Sequence, residues 1–487
     1  MVIVRRIRRL LAVSVAAAML AAPVAGAQNK QPTAVGSGGA AASVDPLATQ
    51  AAIAVLRRGG NAFDAAISAA SVLGVVEPYS CGLGGGGYML IRDGRTGKIS
   101  ALDSRETAPK TLQPNSFFIN GQPPTDAQFP INRYSGLSVG VPGTPALWQY
   151  VLDRYGTFSL ARALSYGERV ARRGFTVDQT FFDQTTPNVP YFDDVPSTAR
   201  IYLDPDDTPR DVGAKITNPD LARTYALLGR KGVDKGFYHG PLAAAIAAAA
   251  DHPPLAPTAD HTWRPGLLTT GDLAHYRVIR RKPVHLSYEG DQIYGMSPSS
   301  SGGTTDLEAW NIMHHAPAPT SRADALYHYL EASRLAYADR NAYLGDPAFA
   351  RNPLAGLLDN AYDAQRAALI RPTAPSGAVP AGTPPGSQAH AGEASVVPRA
   401  ESRWLARGAA IAAGSVIRRS IRSIRICRTV VMIEAPPGDP TVRNGRSWRV
   451  TIVGAIDERG RLRPSARFGE LVEAVSKSVS SLLSRKP

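Results

Sequence analysis

The spacing of apolar residues predicts that the globular part of the chain begins with two helices. Asp45-Pro46 is an N-cap followed by the proline that helices favour in their first turn. The segment PLATQAAIAVLRR continues with a helical apolar period until Gly59-Gly60, which ends it. Its predicted apolar face consists of Leu47, Ala51, Ala54 and Val55. The next segment, AFDAAISAASVLGVV, is apolar nearly all round, so a buried helix is expected there.

Strand and helix patterns follow along the rest of this region. YMLIRD and KISALD flank a short GRTG turn, which predicts a β-hairpin. PVHLSYEGDQIYGM predicts two further short strands around a Glu289-Gly290 turn. Helices are predicted for TPALWQYVLDRYG, LARALSYGERVARRG, LAAAIAAAAD and RADALYHYLEASRLAYADRNAYL. The apolar side of the last helix is predicted to carry Leu326, Tyr329, Leu330 and Tyr337.

Composition divides the chain into four parts. Residues 1–27 combine an Arg-rich start, an apolar run and the small residues Ala25-Gly26-Ala27, which is typical of a secretory signal peptide. This segment predicts a periplasmic or secreted protein that has no membrane anchor after cleavage. Residues 28–372 form the main domain, 373–398 are a Pro/Gly/Ala-rich linker or mobile loop, and 399–487 are a divergent basic tail.

The net charge of +14 is concentrated at the two ends of the chain. Residues 1–27 contain four arginines and no acidic residue, and residues 399–487 contain 18 Arg and Lys against 7 Asp and Glu. The remainder is close to neutral, so the charge does not predict nucleic-acid binding. Cys81 and Cys427 are far apart in the sequence and give no disulfide framework.

Gly82-Leu83-Gly84-Gly85-Gly86-Gly87 has the spelling of a dinucleotide-binding loop. Such a loop needs a strand before the glycines and a helix after them. Here a helix precedes the glycines and a strand follows, so phosphate binding is not predicted. The glycines instead predict a backbone that approaches another segment closely or adopts positive φ.

Two other patterns suggest chemistry but lack the necessary context. Gly136-Leu137-Ser138-Val139-Gly140 has the spelling of a nucleophile elbow, although no buried strand leads into it. Ser138 therefore remains an alternative as the nucleophile of a serine hydrolase. His328 and Glu331 are three residues apart on a predicted helix, but no third ligand is suitably spaced, so no metal site is predicted.

Arg105 is the main candidate for ligand binding. It lies in ALDSRETAP at the end of the predicted hairpin, between Asp103 and Glu106. An arginine in this position can bind a carboxylate of a ligand with two parallel hydrogen bonds. It can equally form a structural ion pair with either neighbouring acid. The residue types alone leave both interpretations open.

The order of several motifs resembles the gamma-glutamyltransferase family. The resemblance begins with DPLATQAAIAVLRRGGNAFDAAISAASVLGVVEPYSCGLGGGGYMLI and ALDSRETAP. It continues through GLSVGVPGTPALW, GLLTTGDLAHYRV, YGMSPSSSGGTT and EASRLAYADRNAYLGDP. It extends from about Val35 to Ile370, the part that the family uses as its large chain.

The resemblance implies an exported proenzyme of the N-terminal-nucleophile hydrolase type, with an αββα sandwich and no cofactor. In this family the precursor cleaves itself into a large and a small chain. The new N-terminal threonine attacks a γ-glutamyl amide such as that of glutathione, because its own α-amine serves as the base. The glutamyl group then passes to water, an amino acid or a peptide. Arg105 matches the arginine that holds the α-carboxylate of the donor, and cephalosporin acylases share the fold.

The chain departs from the family where the small chain is expected to begin. No Thr-Thr-His sequence occurs, and no threonine lies between Thr383 and Thr429. Thr304-Thr305-Asp306 belongs to the large-chain region, so the catalytic residue is unknown. Residues 391–487 do not resemble a small chain. We therefore expect an incomplete sandwich with neither self-cleavage nor turnover, unless a separate small chain is the partner. The alternative is a non-catalytic protein that binds γ-glutamyl compounds or amino acids.

Overall fold

The computed structural model describes residues 38–94, 96–288, 290–371 and 377–387. The predicted signal peptide, the basic tail and Cys427 lie outside these residues. Of the predicted linker, the structure describes residues 377–387 only. The assignments of the signal peptide, the linker and the tail remain predictions. None of the helices described is long and apolar enough to cross a membrane.

Helices predominate in the described part of the chain. The α-helices up to residue 202 are α1 (Pro46–Arg57), α2 (Ala62–Val76), α3 (Phe129–Arg133), α4 (Thr144–Tyr155), α5 (Leu160–Arg173), α6 (Gln179–Thr185), α7 (Val189–Phe192) and α8 (Pro196–Tyr202). Those that follow are α9 (Pro219–Val233), α10 (Pro241–Asp251), α11 (Thr270–His275), α12 (Gly302–His315), α13 (Arg322–Tyr343) and α14 (Asn360–Ala367).

The strands are short and pair in antiparallel fashion. They are β1 (Tyr88–Arg92), β2 (Ile99–Asp103), β3 (Phe175–Thr176), β4 (Lys215–Ile216), β5 (Ile279–Arg281), β6 (Val284–Tyr288) and β7 (Asp291–Gly295). β1, β2 and β5 form one sheet in that order, while β3–β4 and β6–β7 form two-stranded pairs. The predicted hairpin and the pair around residue 290 are both confirmed.

Side-chain caps fix the beginnings of the first two helices. The Asp45 carboxylate accepts hydrogen bonds from the Leu47 and Ala48 amides, as the predicted N-cap requires. Asn61 and Asp64 form a capping box at the start of α2. Asp64 is fully buried, and its carboxylate also accepts from the Thr157 and Phe158 amides that lead into α5. The cap therefore also ties α2 to the start of α5.

The main hydrophobic core lies around α2, which is buried as predicted. Gly167 of α5 lets the two helices approach closely, because a Cβ there would lie 2.5 Å from the Ser71 carbonyl oxygen. Tyr225 of α9 is buried and donates a hydrogen bond to the same carbonyl at 2.8 Å. α2, α5 and α9 are thereby locked together.

A second, smaller core joins α12, α13 and α14. The apolar face predicted for α13 is wrong, because Leu330 is 46% exposed and its three predicted companions are only partly buried. The residues that α13 buries are Ala325, Glu331, Ala332, Leu335, Ala336 and Asp339. Small side chains permit close helix contact, and the two buried acids are compensated by Arg334 and Arg366.

Candidate functional site

The glycine-rich segment positions the backbone of Arg105. A Cβ on Gly86 would lie 2.4 Å from the Ser104 carbonyl oxygen and 2.9 Å from the Cα of Arg105. Gly87 and Ser104 exchange two backbone hydrogen bonds, which continue the β1–β2 ladder to this point. None of the glycines from 82 to 87 has positive φ. The expected close approach is therefore the reason for a glycine at position 86, and none of these glycines is required for positive φ.

Two further contacts hold the Arg105 main chain. Its amide donates to the Asp103 carboxylate at 3.0 Å, and the Tyr276 hydroxyl donates to its carbonyl oxygen at 2.9 Å. Tyr276 is buried, and burial, followed by the neighbouring Tyr238 hydroxyl and the Asp103 carboxylate, raises the pKa of its hydroxyl. The hydroxyl therefore remains a donor at any ordinary pH. These contacts fix where the arginine side chain leaves the backbone.

Asp103 is bonded to a different arginine. Its buried carboxylate accepts from Nε of Arg281 at 3.0 Å and lies 3.0 Å from Nη2 of the same side chain. It also accepts from the Ser299 hydroxyl at 3.1 Å. The structural pair between Asp103 and the Arg105 side chain is thus not formed in the described structure.

The guanidinium of Arg105 forms no close ion pair with a described acid. Its side chain is 57% exposed, and Nε lies 3.8 Å from Oε2 of Glu106, which is a weak surface ion pair. Burial lowers the pKa of Arg105, but the Tyr88 hydroxyl and the Glu106 and Asp103 charges more than offset this and raise it. A permanently charged, accessible guanidinium is the group expected for binding a ligand carboxylate.

Tyr88, Ser299, Arg281 and Tyr276 were not identified from the sequence. Tyr88 is directly opposite Asp103 in the hairpin register, so correct pairing of the two predicted strands would have placed it here. Ser299 lies in YGMSPSSSGGTT, and no local signal links that segment to Asp103. Arg281 lies on β5, which pairs with β2 from far along the chain.

Ser138 lies in a short 3₁₀ turn at Gly136–Ser138, and not between a buried strand and a helix. Its hydroxyl donates to the carbonyl oxygens of Arg133 and Ser135, both at 2.9 Å. A nucleophilic serine instead needs its hydroxyl directed at a general base. The elbow geometry is therefore not formed at Ser138.

The acid and histidine pairs have partners other than Arg105. His328 Nε2 lies 3.5 Å from an Asp324 oxygen, while Glu331 pairs with Arg334, so the predicted neighbours have separate partners. Among the described residues, Asp194, Asp260 and His261 bring three potential metal ligands together. The Asp194 carboxylate already accepts hydrogen bonds from Trp263 Nε1 at 2.7 Å and from the Asp260 amide. The cluster is accounted for as a set of contacts that fixes a loop.

Comparison with known proteins identifies the region that contains this site. The gamma-glutamyltranspeptidase family model matches residues 48–398. The glutathione hydrolase proenzyme of Escherichia coli is 34% identical over 334 residues, which cover 66% of this chain and 54% of that protein. The acylase ACY 1 proenzyme of Pseudomonas sp. SE83 is 33% identical, covering 70% and 60% respectively. The chain thus spans little more than half the length of these relatives.

The fold agrees with these sequence matches. The crystal structure of gamma-glutamyltranspeptidase from Helicobacter pylori superimposes with a TM-score of 0.64 at 31% identity. The match covers 74% of this chain and the whole of that crystallised chain. The expected N-terminal-nucleophile hydrolase fold is therefore confirmed for the large-chain region.

Proposed function

Because the chain belongs to the gamma-glutamyltranspeptidase family, we propose that it supplies the donor-binding half of a γ-glutamyl transferase or glutathione hydrolase. The observation that carries this proposal is the accessible Arg105 guanidinium, whose neighbour Asp103 is bonded to Arg281 instead. In this arrangement Arg105 binds the α-carboxylate of the γ-glutamyl group through two parallel hydrogen bonds. The ligand is thereby oriented by its glutamyl end.

The reaction proposed is the family's acyl transfer through an N-terminal threonine. The threonine hydroxyl attacks the γ-amide, the amine leaves, and water or an amino acid or peptide resolves the acyl-enzyme. No Thr-Thr-His sequence is present in residues 1–487, so the proposed turnover requires a small-chain half that these residues do not supply. We further propose that the protein acts in the periplasm or outside the cell, on the basis of residues 1–27.

Open strand edges and exposed apolar residues support a small-chain partner. In the described three-stranded sheet, β1 and β5 are the edge strands, and Ile279 of β5 is 42% exposed. Phe349, which follows α13, is 91% exposed. Open strand edges and exposed aromatic side chains are features that proteins usually cover. Poor solubility of the isolated chain is the expected consequence.

Binding of glutathione to the full chain tests the role of Arg105. Isothermal titration should detect binding to the wild type and a loss of about tenfold to a hundredfold in affinity for Arg105→Ala, since a charge-assisted bidentate contact is removed. Arg172→Ala is the matched control, because Arg172 forms an exposed pair with Glu168 on α5. A glutathione analogue whose glutamyl α-carboxylate is an amide should bind the wild type as weakly as glutathione binds Arg105→Ala. Equal affinities of wild type and Arg105→Ala for glutathione would contradict the proposal.

A second experiment separates binding from catalysis. The full chain is incubated with a γ-glutamyl anilide, and release of the aniline is followed while a gel reports cleavage of the polypeptide. We expect neither product nor a split band from the chain alone. Release of the aniline or a split band would show that the nucleophile lies within this chain. In a further arm, a small chain from a family member is added. If the protein binds glutathione but the added small chain restores no activity, the non-catalytic binding protein is favoured instead.

A further inference from the structure

A directed chain of hydrogen bonds runs from the buried ion pair of the site toward Arg105. The Ser299 hydroxyl has one proton, which it donates to the Asp103 carboxylate, an acceptor only. In the 3.0 Å contact between the Tyr88 and Ser299 hydroxyls, Tyr88 must therefore be the donor. The proton count fixes the direction of both bonds.

This direction leaves the Tyr88 oxygen as an acceptor for the guanidinium. The interaction of Tyr88 with Arg105 is among the factors that raise the pKa of the arginine. Burial raises the pKa of Tyr88 as well, so the phenol stays protonated and continues to donate to Ser299. The chain ends on Asp103, which Arg281 holds with two nitrogens. The Arg105 side chain is thus connected to a fixed, buried ion pair through two neutral hydroxyl groups.

Arg105 needs such support because its side chain is otherwise weakly held. Its backbone is fixed by Gly86 and Tyr276, but the side chain is more than half exposed and touches Glu106 only at 3.8 Å. A long side chain that is disordered before binding loses rotamer freedom when a ligand arrives, and affinity falls accordingly. A hydroxyl that orients the guanidinium beforehand reduces this cost.

We propose that Tyr88 and Ser299 are positioning residues for Arg105. They orient the guanidinium toward the ligand carboxylate and transmit the rigidity of the Asp103–Arg281 pair. This inference rests on the proposed donor-binding role of Arg105. A purely structural role for Tyr88, in which only its ring matters, predicts that removal of the hydroxyl changes nothing at Arg105.

Chemical modification of Arg105 without any ligand tests the positioning directly. The full chain is treated with phenylglyoxal, and the rate of modification at Arg105 is measured by peptide mass spectrometry. Tyr88→Phe removes the acceptor, so Arg105 should react about threefold to tenfold faster, as expected for the loss of one hydrogen bond. Ser299→Ala should accelerate it as well, and Ser299→Thr, which keeps the hydroxyl, should restore the wild-type rate. Tyr155→Phe, whose ring stacks on Phe63, is the matched control.

Titration with glutathione then connects positioning to binding. Tyr88→Phe and Ser299→Ala should each weaken binding about threefold to tenfold, and Tyr155→Phe should not. A wild-type modification rate and wild-type affinity in Tyr88→Phe would overturn the positioning role. If the wild type binds no glutathione, the proposed function fails, whereas the modification rates still decide whether Tyr88 orients Arg105. Unchanged circular dichroism of each variant verifies that these effects do not arise from unfolding.

Discussion

Glu308 on α12 is buried without a hydrogen-bond donor for its carboxyl group. Neither of its oxygens accepts a hydrogen bond from a described residue, and its side chain is fully inaccessible to solvent. Two more fully buried acids, Asp339 and Asp363, lie in the same cluster with one compensating guanidinium, that of Arg366. Three carboxylates and one cation cannot all be stable as ions in an interior of low polarity.

A proton on Glu308 resolves this imbalance. Asp339 already accepts from the Tyr362 hydroxyl at 2.7 Å and lies 3.0 Å from Nε of Arg366, so it is stabilised as the ion. Burial, reinforced by Asp339, raises the pKa of Glu308 to about 11. Burial also raises the pKa of Asp363 to about 8, although a hydrogen bond from Asn311 opposes the shift. At neutral pH Glu308 is thus a neutral acid that can donate to Asp339.

The sign of the resulting pH dependence follows from proton binding. Between pH 4.5, the ordinary pKa of glutamic acid, and about 11, the folded chain holds a proton on Glu308 that the unfolded chain has lost. The contribution of Glu308 to stability is therefore complete below pH 4.5, and it decreases as the pH rises toward the pKa of Glu308 in the folded state. Each such proton changes the free energy of unfolding by about 1.4 kcal/mol per pH unit. Asp363 acts in the same direction up to about pH 8.

The Glu308→Gln substitution tests this reasoning because the amide donates to Asp339 without needing a proton. Raising the pH from 5.5 to 7.5 should lower the free energy of local opening of α12 and α13 by about 2–3 kcal/mol more in the wild type than in the variant. Amide hydrogen exchange of α12 and α13 peptides in the full chain, corrected for intrinsic rates, measures this difference. Glu168→Gln is the control, since Glu168 forms a surface pair with Arg172. Equal pH dependence in wild type and Glu308→Gln would refute the protonated state.

Three further substitutions test other parts of the structure. Gly86→Ala should lower the melting temperature and weaken glutathione binding, because its Cβ would collide with the Ser104 carbonyl; differential scanning fluorimetry and titration measure the two effects. Gly97→Ala is the control, since it strains only its own backbone at φ 71° and should leave glutathione binding unchanged. Asp64→Ala should destabilise the chain by about 3–5 kcal/mol in urea unfolding, because it leaves several buried amide donors without their acceptor. Ser138→Ala should leave labelling by a fluorophosphonate probe unchanged, at background level, whereas probe attachment to Ser138 in the wild type would revive the serine hydrolase hypothesis.

Local sequence signals predicted the elements that depend on short-range interactions. The Asp45 cap places the first residue of α1 correctly, and AFDAAISAASVLGVV corresponds to α2 from end to end. The hairpin was equally predictable, because its two strands are joined by a tight turn. Caps, turns and apolar runs act within a few residues, so they can be recognised in sequence without knowledge of the fold.

The buried face of α13 could not be predicted from hydrophobicity. Leucine and tyrosine suggested a face around Leu330, but the helix buries alanines together with Glu331 and Asp339. Asp339 is tolerated inside because its partners come from α14 and from Gly382, whose amide donates to it at 2.6 Å. A hydrophobic pattern treats acids as exposed and cannot detect partners supplied from distant segments.

The role proposed for Arg105 depends on a contact that no local pattern contains. Sequence neighbours offered Asp103 as its ion-pair partner, and that interpretation was as reasonable as ligand binding. The decisive residue is Arg281, which reaches Asp103 because β5 pairs with β2 across 178 positions of sequence. A carboxylate that already holds one guanidinium in a buried ion pair gains little from a second, and Arg105 is consequently left facing solvent. The availability of the proposed binding group is therefore created by the strand pairing, even though the group itself was visible in the sequence.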